Sequence, residues 1–129
     1  MLSKSETDVR VVLLGLPADL AGSLRQIVSK GGEILYIPPL FPIFRSLDLI
    51  REAAPDLVFV WTGENLGTSL LEAVRNAEPQ VPAVAVNSHV KNREILDALD
   101  SGAMDYCTPP FDLAHIRGLL QANDKTACC

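Results

Sequence analysis

Apolar runs and amphipathic stretches alternate along the chain, and their lengths separate strands from helices. The run 9–15 (VRVVLLG) is a β-branched and leucine run, interrupted only by Arg10 and closed by glycine, the pattern of a buried strand. From Asp19, DLAGSLRQIVSK places Leu20, Leu24, Ile27 and Val28 at helical spacing and ends on Gly31 and Gly32. The same alternation then repeats. Strands are predicted over 33–37 (EILYI), 57–61 (LVFVW), 81–86 (VPAVAV) and 105–108 (DYCT). Between them, Phe44, Leu47, Leu49 and Ile50 support a helix from Ile43 to the residue before Pro55, and Leu70, Leu71 and Val74 one that stops at Pro79. A helix over 92–101 turns Ile95, Leu96 and Leu99 inward and is capped by Gly102, and Asp112 N-caps the last helix, LAHIRGLLQA.

Five βα units with short connections imply a parallel sheet covered on both faces, an α/β doubly wound sandwich of flavodoxin-like order with five strands and five helices. The 129 residues suffice for a single domain. Residues 9–122 form it, with 1–8 and 123–129 expected as flexible tails. Aromatics are 5% against 48% hydrophobic residues, so the core is aliphatic. A net charge of −5 with scattered Lys and Arg argues against a nucleic-acid surface. No apolar run is long enough to cross a membrane, and MLSKSETD lacks the core of a signal peptide, so a cytoplasmic protein is expected. Cys107, Cys128 and Cys129 have no partners at zinc-site or redox spacing.

Three stretches carry a resemblance. RVVLLGLPADL, PDLVFVWTGEN and GAMDYCTPPF, over roughly 9–122, resemble the first, third and fifth strands of the receiver domains of bacterial response regulators. Gly102, Ala103, Asp105, Tyr106, Pro110 and Phe111 all fall on the pattern of the third stretch. The resemblance implies a phosphoacceptor Asp at the end of the third strand, two acidic Mg²⁺ ligands after the first, a hydroxyl after the fourth and a Lys after the fifth. Gly15 and Leu16 stand at the acidic positions, Trp61 at the phosphoacceptor, Asn87 at the hydroxyl and Pro109 at the lysine. All five are replaced, so the sequence reads as a pseudo-receiver. Mg²⁺ takes oxygen ligands, and an indole N–H only donates, so neither metal nor phosphoryl transfer is expected and no cofactor is implied. The expected role of Trp61, the chain's single tryptophan, is to plug the former acidic pocket against Leu16 and Pro109. The resemblance also implies a cis peptide between Pro109 and Pro110.

Nearby polar residues do not restore the chemistry. Asp19 suits the start of a helix, Glu64 is one carboxylate on a loop, Thr62 and Ser88 read as loop hydroxyls, and Asp105 lies outside the pocket. His89 and His115 have no ligand-spaced partner and read as surface residues. With no nucleophile–base pair and no phosphate loop, an enzyme is not expected. What remains is protein contact, by self-association or with an output or effector domain. By the resemblance it uses the face of the fourth helix, fifth strand and fifth helix, including Val90, Lys91, Glu94, Ile95, Asp97, Ala98, Tyr106, Ala114 and Arg117. That makes a phosphorylation-independent interaction or dimerisation module of two-component signalling. The alternative is a small-molecule-binding domain using the strand-tip crevice beside Trp61. A filled pocket favours the first reading and an open cleft the second.

Overall fold

In the computed structural model, residues 9–28, 32–63, 68–89 and 91–122 are described. The expected tails, Glu64 and Val90 lie outside them. The elements run β1 (Val9–Leu14), α1 (Ala18–Val28), β2 (Gly32–Ile37), α2 (Ile43–Ala53), β3 (Leu57–Trp61), α3 (Ser69–Ala77), β4 (Ala83–Val86), α4 (Asn92–Asp100), β5 (Asp105–Cys107) and α5 (Leu113–Ala122). The sheet is wholly parallel with order β2-β1-β3-β4-β5, the flavodoxin-like order expected.

Period-two alternation divides the core between the two faces of the sheet. Val11, Leu13, Phe59 and Trp61 join Leu20, Leu24, Ile116 and Leu119 of α1 and α5. Val12, Leu14, Val58 and Val60 join Ile50, Leu71, Val74 and Ala98 of α2, α3 and α4. Every residue of β3 and β4 is buried, which is why their sequences show no polar alternation. Register pairs Leu14 with Ile37 and Val60, Trp61 with Val86, and Val86 with Cys107. The loops after β1, β3, β4 and β5 therefore open along one edge of the sheet.

Differences from the sequence reading are local. β4 begins at Ala83 because Pro82 offers no N–H to the ladder; Val81 is buried in the preceding turn, where its carbonyl accepts from Arg75 Nη1. Asp19 lies within the first turn of α1, whereas Asp112 caps α5 as expected, its Oδ1 accepting from the Ala114 amide at 3.0 Å. The Pro109–Pro110 peptide is cis. On α4 the expected inward face is wrong. Only Ala98 is fully buried, while Leu96 is 60% and Leu99 43% exposed. At about 100° per residue, Leu99 lies about 100° and Leu96 about 160° around the helix from Ala98. Since α4 covers a sheet edge ended by the three-residue β5, that edge shelters a narrow stripe of the helix.

Candidate functional site

The strand tips bring Gly15, Leu16, Trp61, Asn87 and Pro109 toward one edge, and the Leu16 and Trp61 side chains join the core there. Gly15 turns the chain out of β1 at φ +75°, its amide donating to the Ile37 carbonyl at 2.8 Å. This left-handed conformation favours glycine, and a Cβ there would sit 3.0 Å from Leu70 Cδ1. A carboxylate at this position would need the turn itself to change. Leu16 follows with no exposure and joins the α1–α5 core, its carbonyl accepting the Tyr36 hydroxyl at 2.6 Å.

Trp61 is 5% exposed and belongs to the same core cluster as Leu16, Leu20, Val86 and Cys107. Its indole lies over Gly63, where an added Cβ would come within 2.8 Å of Cη2 and closer still to two other ring atoms. Sequence reading missed Gly63; a glycine two residues after a bulky aromatic was the available signal. Thr62, expected on the loop, is buried and donates to the Val86 carbonyl at 3.2 Å. Asn87 is buried too, with Oδ1 accepting from the Ser88 amide at 2.7 Å and Nδ2 at 3.5 Å from Glu94 Oε1. Pro109 is half-buried.

Magnesium does not fit these residues. Gly15, Leu16 and Trp61 present no side-chain oxygen, and among the described residues no group of three His, Cys, Asp or Glu is placed to hold a metal ion. Asn87 and Thr62 already spend their polar atoms on protein partners. The arrangement binds an aromatic ring where the resemblance implies a charged pocket.

The α4–β5–α5 side is different in character. The Tyr106 hydroxyl donates to the His89 carbonyl at 3.2 Å, tying β5 to the loop before α4. Burial raises the Tyr106 pKa; the hydrogen bond with Asn87 opposes that and the Glu94 charge adds to it. His115 on α5 meets Asp105 Oδ2 at 2.6 Å, so this histidine has an acidic partner that the sequence did not reveal. Lys91, Ala114 and Arg117 are exposed, and Glu94 and Ile95 half-buried. Ala98 does not belong to that face, because it is the one residue of α4 packed wholly against the sheet core. Leu96, Leu99 and Met104 present apolar surface nearby instead.

Comparison with solved structures decides the family of folds. A CheY-like protein, TadZ, from Pseudomonas aeruginosa PAO1 superposes with a TM-score of 0.79 over 90% of this chain and 99% of that one, at 21% identity. The fold is that of a response-regulator receiver domain. A response regulator from Thermotoga maritima gives 0.77 at 19% identity, covering 90% of this chain and 97% of its own. A two-component response regulator from Clostridium difficile gives 0.74 at 22%, covering 90% and 95%. In sequence, the chain is 27% identical over 75 residues to the transcriptional regulatory protein KdpE of Staphylococcus aureus (strain NCTC 8325 / PS 47). That match spans 57% of this chain and about a third, 32%, of KdpE. No family model matches. Among the described residues, no helix of this receiver fold is long and apolar enough to cross a membrane.

Proposed function

We propose that this receiver-fold domain is a non-enzymatic, phosphorylation-independent module of two-component-type signalling that works by protein contact. One observation carries the reading: Trp61, which aligns with the phosphoacceptor position by the resemblance, is buried in the same core as Leu16 and offers no carboxylate at the tip of β3. A phosphate switch needs a ligand that favours one conformation over another, and the residues that would bind it are absent. The surviving working surface is the α4–β5–α5 side. Lys91, Arg93 and Arg117 there are outnumbered by Glu94, Asp97, Asp100, Asp105 and Asp112 beside the exposed Leu96 and Leu99, which suits a basic, partly apolar output or effector domain. A ligand in the strand-tip crevice finds little support, since the indole that would stack on it is covered.

Intact mass after incubation with acetyl phosphate and Mg²⁺ tests the first part: no adduct is expected, and a phosphorylated carboxylate would end the proposal. Two-hybrid assays against output proteins encoded alongside test the second. Leu96→Asp, at an exposed site, should abolish an interaction that persists without phosphodonor; binding that survives it places the contact elsewhere.

A further inference from the structure

A second apolar surface lies far from those residues in sequence, at the corner where β2 runs into α2. Leu40 is completely exposed, Phe44 is 81% exposed and Phe41 stands between them, in a loop stiffened by Pro38, Pro39 and Pro42. Leu40 also holds φ +70°, a left-handed conformation that costs a bulky side chain energy, and no contact of its side chain within the domain repays it. We propose that two copies of this domain associate through this corner, with Leu40, Phe41 and Phe44 at the centre of a two-fold interface.

Charge selects the occupant. The outward charges of α2 are Arg45, Asp48, Arg51 and Glu52, two of each sign, on a chain of net charge −5. The α4 side carries an acidic excess, so two copies meeting there repel, while two meeting through α2 do not. Arg45 and Asp48 are exposed, one turn apart beside Phe44, and neither forms an ion pair among the described residues. In an antiparallel two-fold arrangement Arg45 of each copy faces Asp48 of the other, which makes the surface self-complementary. The same net charge disfavours an anionic lipid surface as the occupant.

Area sets the strength. Three large apolar side chains at these exposures offer about 350 Å² per copy, within the size range of patches that are often functional. Doubled and extended by the polar flank of α2, the interface buries about 1,000–1,200 Å², at the low end for specific association. The dimer therefore falls in the size class of weak, transient association.

Sedimentation velocity from about 1 μM to about 1 mM reads this out. The parent should self-associate, and Phe44→Asp should weaken association about thirtyfold or more, as for a central interface residue. Arg45→Glu and Asp48→Arg should each weaken it, and the two together should restore it. Leu40→Gly separates interface from fold: it should raise the urea midpoint of the monomer by relieving φ +70° while weakening association. A parent that is monomeric at about 1 mM overturns the proposal. So does association that Phe44→Asp leaves unchanged and Leu96→Asp removes, which would move the self-contact to α4. Neither result bears on whether the domain accepts phosphate.

Discussion

Trp61 and Gly63 should behave as one unit, and a double-mutant cycle measures it. Burying an indole removes about 150–250 Å² of surface, an upper bound of about 4–6 kcal/mol by area, and large-to-small core substitutions of this kind cost about 3–5 kcal/mol. Trp61→Ala should therefore destabilise by about 3–5 kcal/mol, with Trp61→Leu as the milder replacement if the alanine variant unfolds. Gly63→Ala drives a methyl into the indole, with Cε2 2.7 Å away, so an overpacking cost of about 1–3 kcal/mol is expected. In the Trp61→Ala background the obstacle is gone. The φ of Gly63 is outside the left-handed region, so alanine fits the backbone there and should be neutral or stabilising by up to about 1 kcal/mol. The coupling energy is then about 1–4 kcal/mol, above the scatter for independent sites. Urea unfolding followed by far-ultraviolet circular dichroism gives all four stabilities without relying on the tryptophan as probe. A Trp61→Ala cost below about 1 kcal/mol, or a Gly63→Ala cost equal in both backgrounds, refutes the buried-plug geometry.

Two titration results follow from other parts of the core. The hydrogen bond from Arg51 Nε, at 3.1 Å, and a second from Gln80 hold the Glu78 pKa below its ordinary 4.5, with burial opposing them. A lowered carboxylate contributes stability above its unfolded pKa and loses it as pH falls through the folded value, so the parent should lose more stability than Glu78→Gln between about pH 6 and about pH 3; parallel acid limbs would contradict the pairing. Burial, and secondarily the Asp105 charge, push the Cys107 thiol up to about 12. With Cys128 and Cys129 changed to Ser, iodoacetamide at about pH 8 should modify Cys107 no faster than the protein unfolds, and rapid labelling of the folded state would show the thiol to be accessible.

The elements were legible because each depends on a strong local signal. Largely apolar runs with Pro or Gly near their ends set β1 and β3 to within a residue, and Asp112 marked the start of α5. The burial of Trp61 could be inferred because a strand that is apolar throughout is covered on both faces, its last residue included. The outward leucines of α4 could not be inferred. A periodicity of 3.6 says that an amphipathic stripe exists, but how wide a stripe the sheet covers depends on where its edge falls, and three-residue β5 ends it early. The Asp105–His115 pair was hidden for a related reason. Ten residues and a turn separate its members, and only the docking angle of α5 brings them to 2.6 Å.

The same physics accounts for the contrast between the buried Trp61 and the exposed apolar surfaces. A receiver pocket of clustered carboxylates carries like-charge repulsion that a bound cation relieves, which makes its conformation responsive to ligands. On the proposed reading, Leu16 and Trp61 stand where such a cluster would lie, and their burial in one apolar core leaves no like-charge repulsion between those two positions. Such a tip favours one packed state. The hydroxyl of Tyr106 is likewise engaged with the His89 carbonyl. Apolar side chains that this rigid core leaves outside, Leu96 and Leu99 on α4 and Leu40 and Phe44 beside α2, gain nothing from further rearrangement within the domain and can be covered only by another molecule. Their charge surroundings differ, acidic at α4 and balanced at α2, so the two surfaces need not compete for one partner. On the proposed reading, such a domain serves as a fixed adaptor, with occupancy set by the concentrations of its partners.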